Sequence, residues 1–497
     1  MPQRFDESTG DDADDIELVE PLPAAGSARP AAASGAVIDP RHPFIVAQSF
    51  AMGFEQDGKR LVHHQGRWLS YCGTHYREVD KEELRARAYR WLNQRRKLDG
   101  SRLAVSQTLV NNVLDGLRSA VHEGGDHLPR WTGTDTHPHP NDLISFRNGL
   151  LDVKRWRDDP LVDLLSHDPA WLSTNVLPFD YAPEAICPHW EAFIAEVSAG
   201  DETWIAALAM MFGYLLTHDT SQQKIFLFQG APRSGKGTIC RVLREMLGHS
   251  NVAGPSLSSL CGEFGLWPLV GKSVAVIPDA HAGRGSDATR VLEVLKSISG
   301  EDAMDVNRKH RDQQTMRLSV RFLIACNSML DLPDPSGALA GRLILFPFSR
   351  SFQGKEDHGL EARLLGELPG ILRWSLTGLR ALRANGRLIQ PKSGEQVRAD
   401  FARLSSPIRG FIDERMKVDP AGSVLVQDAY NAWRAWCEQE GHQPGASSSF
   451  GAKLLSAAPG ITKHRPGSRV DRQWAYSGIS LLRSDETLGH AWTRVTA

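Results

Sequence analysis

The sequence predicts an α/β fold built around a mostly parallel sheet with helices on both faces, and three observations support this. Apolar strands alternate with helical segments, an arrangement typical of parallel sheets. The strands are KIFLFQG (224–230), SVAVIPD (273–279), VRFLIACN (320–327) and LILFPF (343–348). A glycine-rich loop joins the first strand to TICRVLREMLG (238–248), which has helical periodicity. After Pro407 the pattern changes to two helices and a hairpin, which indicates a separate C-terminal unit.

Length and charge limit the classes of protein that this chain can represent. Its 497 residues suffice for roughly three domains of about 100–200 residues each. The formal net charge is −2, but the first 20 residues contain eight acids and one arginine. The rest of the chain therefore carries about +5, and an acidic tail on a mildly basic body suits a protein that contacts nucleic acid. Residues 1–40, rich in Asp, Ala, Pro and Gly, are predicted to be disordered.

Cysteine spacing and hydropathy argue against disulfide-stabilised, zinc-binding and membrane proteins. The six cysteines are far apart and include no Cys-x-x-Cys pair, which predicts reduced structural thiols. His137 and His139 lack further ligands at a fitting spacing, so a metal site there is disfavoured. The longest apolar run, residues 204–216, predicts a buried helix because it is shorter than the roughly 20 residues that cross a bilayer. The N-terminus has no secretion signal, and we expect a cytoplasmic protein of a bacterial or other host cell.

The N-terminal half is predicted to be mixed and then helical. RWLSYCGTHYREV (67–79) is typical of a hairpin, and residues 82–98 and 105–123 have the periodicity of amphipathic helices. A second helical stretch covers residues 187–219 and is interrupted at Gly200 and Asp201. These elements precede the glycine-rich loop.

The loop GAPRSGKGT is the strongest functional motif. Its residues are Gly230, Ala231, Pro232, Arg233, Ser234, Gly235, Lys236, Gly237 and Thr238. Between a strand and a helix, such a loop wraps phosphates with backbone N–H groups, and its lysine reaches the terminal phosphates. A serine or threonine that holds Mg²⁺ usually follows the lysine, but Gly237 stands there. Either Thr238 substitutes, or water and phosphate hold most of the metal.

Three polar residues after the loop are candidates for catalysis. Asp279 ends the second strand, where it can orient magnesium and water, although a plain strand-end cap has the same pattern. Ala280 follows it in place of a second acid. Asn327 ends the third strand and can position the attacking water, or it is an ordinary turn residue. Arg342 can stabilise charge on a transferred phosphoryl group, often from a neighbouring subunit, or it forms a structural salt bridge.

Two basic segments are candidates for contact with nucleic acid. DVNRKHRDQQ (305–314) holds Arg308, Lys309, His310 and Arg311 between stretches with strand character, which favours a nucleic-acid finger over a solvated loop. The C-terminal hairpin ITKHRPGSRVDRQWAYSG (461–478) carries Lys463, Arg465, Arg469 and Arg472 against the single acid Asp471. The first segment is expected to bind phosphates of DNA, and the C-terminal unit is expected to contact duplex DNA or a partner.

Together these motifs resemble the superfamily 3 helicases of the AAA+ class, and specifically the phage/plasmid primase-helicase family that includes the poxvirus primase-helicase. The matching segments are FRNGLLDV, PHWEAFI, MFGYLLT, GAPRSGKGT, FGLWPLVGKSVAVIPDA, ISGEDAMDVNRK, FLIACNSMLDLPDPSGALAGRLILFPF and SFQGKEDHGLEARLLGELPGILRWSLTGL. The resemblance extends from about residue 140 to the end. It implies an AAA+ P-loop ATPase domain over 223–400, with a helical oligomerisation or collar region over 141–222 before it. A small mixed region over 41–140 precedes these, and a winged helix over 401–497 follows.

The resemblance also implies roles for individual residues. Lys236 is the phosphate lysine, Asp279 the acid of the second motif and Asn327 the sensor. Arg342 is the arginine that acts on the next subunit, and Lys309 is the lysine of a DNA-contacting hairpin. Because Ala280 replaces the second acid, the general base stays open between Asp279 and an acid elsewhere.

The implied activity is that of an ATP- and Mg²⁺-dependent replicative DNA helicase. It would form a homo-hexameric ring, translocate on single-stranded DNA and bind forked DNA. The roughly 100 ordered residues before position 140 are too few for a primase domain, so a separate primase or replication initiator is an expected partner. Two alternatives stay open. The loop is also like that of adenylate kinases, although it follows 229 residues here, and the missing second acid favours a weakly hydrolysing DNA- or protein-binding ring.

Overall fold

The computed structural model describes residues 37–56, 58–125, 127–133, 137–280, 286–309, 313–330, 332–334, 337–458, 460–465 and 473–482. Most of the predicted acidic tail, residues 1–36, therefore lies outside the described residues. The chain divides into two compact units, one formed by residues 1–50 and 81–120 and the other by residues 51–80 and 121–497. Each unit is described below by itself.

Short strands and helices alternate in the N-terminal part of the chain. In chain order they are β1 (Val37–Ile38), α1 (Pro43–Gln56), β2 (Leu61–His64), β3 (Arg67–Tyr71), β4 (Tyr76–Val79), α2 (Lys81–Asn93), β5 (Arg96–Lys97), α3 (Gln107–Ala120), β6 (Arg130–Trp131), β7 (Leu143–Phe146), β8 (Gly149–Asp152), α4 (Val153–Asp158) and β9 (Trp171–Leu172).

The smaller unit contains the two amphipathic helices that the sequence predicts. Leu84, Ala88 and Leu92 form the buried stripe of α2, with the four-residue spacing of one helix face. The prediction placed the end of α2 near residue 98, but the helix ends at Asn93 because β5 pairs in parallel with β1. Local periodicity does not reveal this pairing.

The N-terminal part of the larger unit contains the predicted hairpin. β3 and β4 are antiparallel, with Tyr71 opposite Tyr76, and β2 adds a third strand on the other side of β3. A second hairpin forms from β7 and β8. The predicted hairpin is confirmed, whereas β2 was not predicted.

The central part of the chain alternates helices and strands. They are α5 (Pro188–Val197), α6 (Glu202–Leu216), β10 (Ile225–Gly230), α7 (Lys236–Leu247), β11 (Val252–Ala253), α8 (Leu257–Leu260), β12 (Val274–Ile277), α9 (Ser286–Ser299), β13 (Ala303–Val306), β14 (Gln314–Arg317), β15 (Arg321–Cys326), α10 (Ala338–Arg342), β16 (Leu343–Phe348), α11 (Leu360–Gly366), α12 (Leu368–Asn385) and α13 (Lys392–Ser405).

Helix α6 is the buried helix predicted from the apolar run. Asp201 caps it by accepting hydrogen bonds from the backbone of Thr203 and Trp204 at 2.9 and 3.1 Å, which explains the break between α5 and α6. The helix packs against α12 through glycines, since a Cβ on Gly213 would lie 2.4 Å from the carbonyl oxygen of Ser375. Among the described residues, no helix combines the length and apolar character required for a membrane span.

Five strands form the parallel sheet, in the order β11-β12-β15-β10-β16. Side chains alternate between its two faces, as the strand period of two requires. Phe226 and Phe228 face a core shared with α5, α6, α7 and α12. Ile225 and Leu227 face a core shared with α8, α9 and α13. The predicted parallel sheet with helices on both faces is therefore confirmed.

A small mixed fold follows the sheet region. Its elements are α14 (Pro407–Arg415), β17 (Met416–Leu425), α15 (Val426–Glu440), α16 (Ser447–Ala457), β18 (Thr462–His464) and β19 (Ala475–Leu481). The strands are antiparallel in the order β17-β19-β18, and an aromatic core around Phe411, Trp433 and Phe450 holds them against the helices. The sequence did not predict β17, whose register shifts between Val418 and Ser423.

Candidate functional site

The glycine-rich loop begins where β10 ends and stops where α7 begins. Gly230 lies so close to β16 that a Cβ there would be 2.3 Å from the carbonyl oxygen of Phe348. Gly235 caps α7 in a left-handed conformation, with φ of +93°, which glycine adopts without strain. The two glycines let the loop turn tightly and direct the N-terminus of α7 toward its interior, where backbone N–H groups favour an anion.

Lys236 is buried inside this loop, with 7% of its surface exposed. Its Nζ donates to the carbonyl oxygens of Gly230 and Ala231 at 2.6 and 2.8 Å, and to Ser234 Oγ at 3.1 Å. Burial lowers the pKa of Lys236, and the negative charge of Asp279 acts in the opposite direction. The amine is therefore held by oxygens of its own loop.

Asp279 and Asn327 lie at the same edge of the sheet as Lys236. The chain after β12 continues along β15, since Ala280 N donates to the carbonyl oxygen of Ala325 at 2.8 Å, and the side chains of Asp279 and Asn327 are exposed. Cys326 is the last residue of β15 and directly precedes Asn327. Burial raises the pKa of its thiol to about 11, so the thiol is neutral at pH 7. The structure thus brings an amine, a carboxylate and an amide together at the carboxyl edge of the sheet.

Thr238, the second candidate for metal binding, has a different environment. It lines a cleft of about 510 Å³, and Asp279 is not among the residues that line this cleft. Gly237 is exposed, and a Cβ there would approach only Arg241, at 3.2 Å. No group of three or more His, Cys, Asp or Glu side chains in the described part of the chain could hold a metal ion. The metal roles of Thr238 and Asp279 stay predictions.

Sequence reasoning missed the cleft itself. It lies between α5, the loop and the segment that leads into α11, and Phe193, Arg233, Phe352 and Arg363 are among its lining residues. The segment is tied to the loop because Phe352 N donates to the carbonyl oxygen of Arg233 at 2.8 Å. A cleft of this size with aromatic and charged walls is suited to a small molecule.

Arg342 lies at the opposite edge of the sheet from the loop. It directly precedes β16, whose first residue pairs with Ile225 and whose last pairs with Gly230. The length of β10 separates the two edges by about 17 Å, at roughly 3.3 Å per residue. Its guanidinium donates to the carbonyl oxygen of Lys296 and, at 2.9 Å, to Ser299 Oγ. Within one chain Arg342 therefore closes the end of α9 and does not reach the loop.

The basic finger is a hairpin of β13 and β14, as its sequence predicts. Arg308 packs against other parts of the chain: its guanidinium lies 4.2 Å from the centre of the Trp267 ring and 3.5 Å from Glu78 Oε1. Lys309 is exposed. His310 and Arg311 lie outside the described residues, so of the four predicted basic residues only two can be located.

The C-terminal hairpin also keeps its basic side chains on the surface. Lys463 Nζ and the Arg465 guanidinium lie 5.0 and 4.3 Å from the centre of the Trp474 ring, which is 43% exposed. Arg469, Asp471 and Arg472 lie outside the described residues. The sequence analysis did not single out Trp474, although an exposed tryptophan beside a basic hairpin is a recognisable signal.

Comparisons with known proteins find similarities over parts of the chain. A model of the family described as "D5 N terminal like" matches residues 47–199. A model of a family of unknown function, DUF5906, matches residues 228–342, the segment that contains the loop, Asp279, Asn327 and Arg342.

Two curated proteins are similar over shorter stretches. The chain is 24% identical over 168 residues to "Putative helicase 022R" of Frog virus 3 (isolate Goorha), which covers 30% of this chain and 17% of that protein. It is 31% identical over 109 residues to "Uncharacterized mitochondrial protein ymf20" of Marchantia polymorpha, which covers 20% of this chain and 62% of that protein. The chain thus spans less than two thirds of each relative.

A solved structure shares the fold over most of the chain. The apo C-terminal region of NrS-1 is similar with a TM-score of 0.50 and 10% identity, over 87% of this chain and 99% of that one. At this identity the similarity concerns the fold alone. The similarities in sequence lie with D5-like proteins and with a viral protein named as a helicase.

Proposed function

We propose that the chain is an ATP-driven DNA helicase of a phage, plasmid or satellite element that works as a homo-hexameric ring on single-stranded DNA. The observation that carries the proposal is the arrangement of Lys236, Asp279 and Asn327 at one edge of the parallel sheet with Arg342 at the other. The sequence similarity to D5-like proteins and to the viral protein named as a helicase supports it.

ATP would bind at the glycine-rich loop. The phosphates would replace the loop oxygens around Lys236 Nζ, and the cleft beside Phe193 and Phe352 would take the nucleoside. Asp279 and Thr238 are the side chains that would hold Mg²⁺, which neutralises charge on the phosphates when it is bound. Asn327 would position the attacking water. A residue that contacts the reacting phosphate is expected to contribute most of its stabilisation in the transition state.

The position of Arg342 supports the proposal of a ring. The length of β10 separates the backbone of Arg342 from the loop of its own chain by about 17 Å, so we expect this side chain to act on a phosphate that a neighbour binds. Closed cyclic symmetry gives every subunit such a neighbour. In that assembly Arg342 would leave the end of α9, or extend from it, to stabilise charge on the transferred phosphoryl group.

DNA would contact the β13–β14 hairpin and the C-terminal fold. Lys309 is exposed at the hairpin and would bind phosphates without reading sequence. Lys463, Arg465 and Trp474 would contact DNA from a winged helix formed by residues 401–497. A separate primase or initiator would supply priming.

A specific observation favours a second candidate, a ring that binds ATP and DNA but hydrolyses ATP weakly. The position after Asp279, where a second acid is customary, holds Ala280, and its side chain is 3% exposed. If no other acid takes over the role of general base, the proton of the attacking water has no strong acceptor.

Phosphate release with and without single-stranded DNA separates the candidates. The helicase predicts ATP hydrolysis that single-stranded DNA stimulates about tenfold, together with strand separation of a forked substrate. ATP binding without hydrolysis would replace the helicase by the weakly hydrolysing ring. DNA-independent production of ADP from ATP and AMP would instead identify a nucleotide-monophosphate kinase.

A further inference from the structure

We propose that the amino edge of the parallel sheet carries a second phosphate-binding pocket, distinct from the glycine-rich loop, in which Arg67, Lys272 and Arg317 bind a phosphate of a nucleic-acid backbone. The pocket has a volume of about 40 Å³, enough for a group larger than one water molecule, which requires at least about 10–15 Å³. The residues that line it include Arg67 at the start of β3, residues 270–272 before β12, and residues 316–319 at the end of β14 and just after it.

Arg67 is the central group of this pocket. It is only 7% exposed, and its Nε has no hydrogen-bond partner among the described residues. Gly271, with φ of +75°, makes room for it, since a Cβ there would lie 2.7 Å from Arg67 Nη1. Burial lowers the pKa of Arg67, and the positive charge of Arg308 adds to this effect. A buried guanidinium with an unsatisfied N–H group is costly unless an acceptor, such as an oxygen of an anion, reaches it.

The surrounding charge is also positive. Lys272 and Arg317 line the pocket with Arg67, and no acidic side chain is among the described lining residues. Glu78 interacts electrostatically with Arg67 and Lys272, but its Oε1 lies 3.5 Å from Arg308. Burial also lowers the pKa of Lys272. Three cations around one small cavity, with one shared acid nearby, form a site for a multiply charged oxyanion.

His218 also lines the pocket, but it adds no positive charge at neutral pH. Burial and the nearby Arg321 lower the pKa of His218 to about 3, so its ring is neutral. Asn175 Nδ2 lies 3.4 Å from His218 Nδ1 at the back of the pocket. The positive charge therefore comes from Arg67, Lys272 and Arg317.

The position of the pocket favours nucleic acid as the source of the phosphate. Residues 316–319 form one wall, and they comprise the end of β14 of the basic hairpin and the first residues of the link to β15. A strand held by Lys309 would therefore pass near the root of the same hairpin. The loop that would hold ATP lies at the far edge of the sheet, about 17 Å away along β10. This choice of source rests on the proposed function, whereas the oxyanion chemistry of the pocket does not.

Thermal unfolding with inorganic phosphate tests the pocket without ATP or DNA. The measurements use full-length protein carrying Lys236→Ala, which removes the charge that would hold phosphate in the loop, and compare sodium phosphate with sodium chloride at equal ionic strength. Phosphate is expected to raise the melting temperature by about 2 °C or more, since a ligand that binds only the folded state stabilises it. Adding Arg67→Met or Lys272→Ala should remove most of this rise.

Arg77→Met is the matched control, because Arg77 is an exposed arginine on the adjacent strand β4. It should leave the phosphate effect intact. Arg67→Met should unfold in chloride at the same or a higher temperature, since it removes a buried charge whose Nε has no hydrogen-bond partner among the described residues. If Arg67→Met fails to fold, Lys272→Ala decides the test. An equal phosphate effect in the pocket variants and in Arg77→Met would overturn the pocket.

Oligonucleotide binding identifies the source of the phosphate. With a fluorescent single-stranded oligonucleotide, Arg67→Met is expected to lower affinity about tenfold and to reduce the slope of log K against log salt by about 0.7–1, the contribution of one phosphate contact. Unchanged affinity in a variant that has lost the phosphate effect would reject the nucleic-acid source in favour of free phosphate. Neither arm measures hydrolysis, so an inactive ATPase would count against the proposed function and not against the pocket.

Discussion

The two edges of the parallel sheet differ in how they handle positive charge. At the carboxyl edge, Lys236 is bonded to the carbonyl oxygens of its own loop, and the negative charge of Asp279 opposes the lowering of its pKa by burial. At the amino edge, Arg67 and Lys272 share one nearby acid, and the hydrogen-bond partners of Arg342 within the described residues are a carbonyl and a hydroxyl. The lysine of the first edge is thus held by oxygens of its own loop, whereas the second edge, in the part of the chain that the structure describes, has fewer nearby negatively charged groups for each of its cations.

Helix α9 connects the two edges. It begins shortly after Asp279 and ends at Ser299 beside Arg342, after which the chain enters β13 of the basic hairpin. Its 14 residues span about 21 Å at roughly 1.5 Å per residue.

The largest expected effect is that of Lys236→Ala at the carboxyl edge. Removing the charge that meets the terminal phosphates is expected to reduce ATP hydrolysis about 100-fold or more, as measured by phosphate release. Lys224→Ala is the matched control, because Lys224 precedes the same strand at the amino edge and donates to the carbonyl oxygen of Gly341 at 2.6 Å. Wild-type turnover in Lys236→Ala would reject the ATPase assignment.

Arg342→Ala tests whether the amino edge acts on a neighbour. It is expected to slow hydrolysis about 100-fold or more with ATP binding nearly unchanged, since the guanidinium would act on charge that develops during the reaction. Mixing Arg342→Ala with Lys236→Ala subunits should partly restore hydrolysis, because some interfaces then combine an intact Lys236 with an intact Arg342.

The alternative is that Arg342 only closes the end of α9. Ser299→Ala removes one hydrogen-bond partner of Arg342 and keeps the guanidinium. If the alternative holds, the loss of hydrolysis relative to the fall in melting temperature should be the same in Ser299→Ala as in Arg342→Ala. Mixed rings, verified by pull-down of two different tags, would then show no recovery.

A smaller effect is expected at the basic hairpin. Lys309→Ala should reduce the stimulation of hydrolysis by single-stranded DNA about tenfold and leave hydrolysis without DNA unchanged, because an exposed lysine there contributes a phosphate contact and no chemistry. Arg308→Ala is the comparison, since Arg308 is held by Trp267 and Glu78. It should lower the melting temperature more than Lys309→Ala does. If both variants lose basal hydrolysis equally, the hairpin contributes to hydrolysis itself and not only to its stimulation by DNA.

The smallest effect is expected in the C-terminal fold. Replacing both Lys463 and Arg465 by alanine should weaken duplex binding several-fold and reduce the salt slope by about two, one for each lost phosphate contact. Trp474→Phe keeps an aromatic ring and should retain binding. If truncation after Pro407 leaves duplex affinity and its salt slope unchanged, this fold binds something other than DNA.

Local features could be predicted from the sequence because their causes are local. The apolar stretches that became β10, β15 and β16, the capped start of α6 at Asp201 and the loop around Lys236 each depend on residues close together in the chain. Alternation of strands and helices was enough to predict a parallel sheet. Parallel strands also bring their carboxyl ends to one edge, so the neighbourhood of Lys236, Asp279 and Asn327 follows from the motif order.

Contacts between distant parts of the chain determined the features that the sequence did not predict. Arg342 follows Asn327 by only 15 residues, yet it lies at the opposite edge because the chain must return across the sheet before β16 can run parallel to β10. Arg67 and Lys272 are about 200 residues apart. No local sequence pattern indicates that the turn at Gly271 and Lys272 would pack against the side chain of Arg67. Strand β17 pairs with residues that lie 50 to 65 positions later in the chain. Contacts over such separations depend on which surfaces pack together, and the sequence specifies them only through the complete fold.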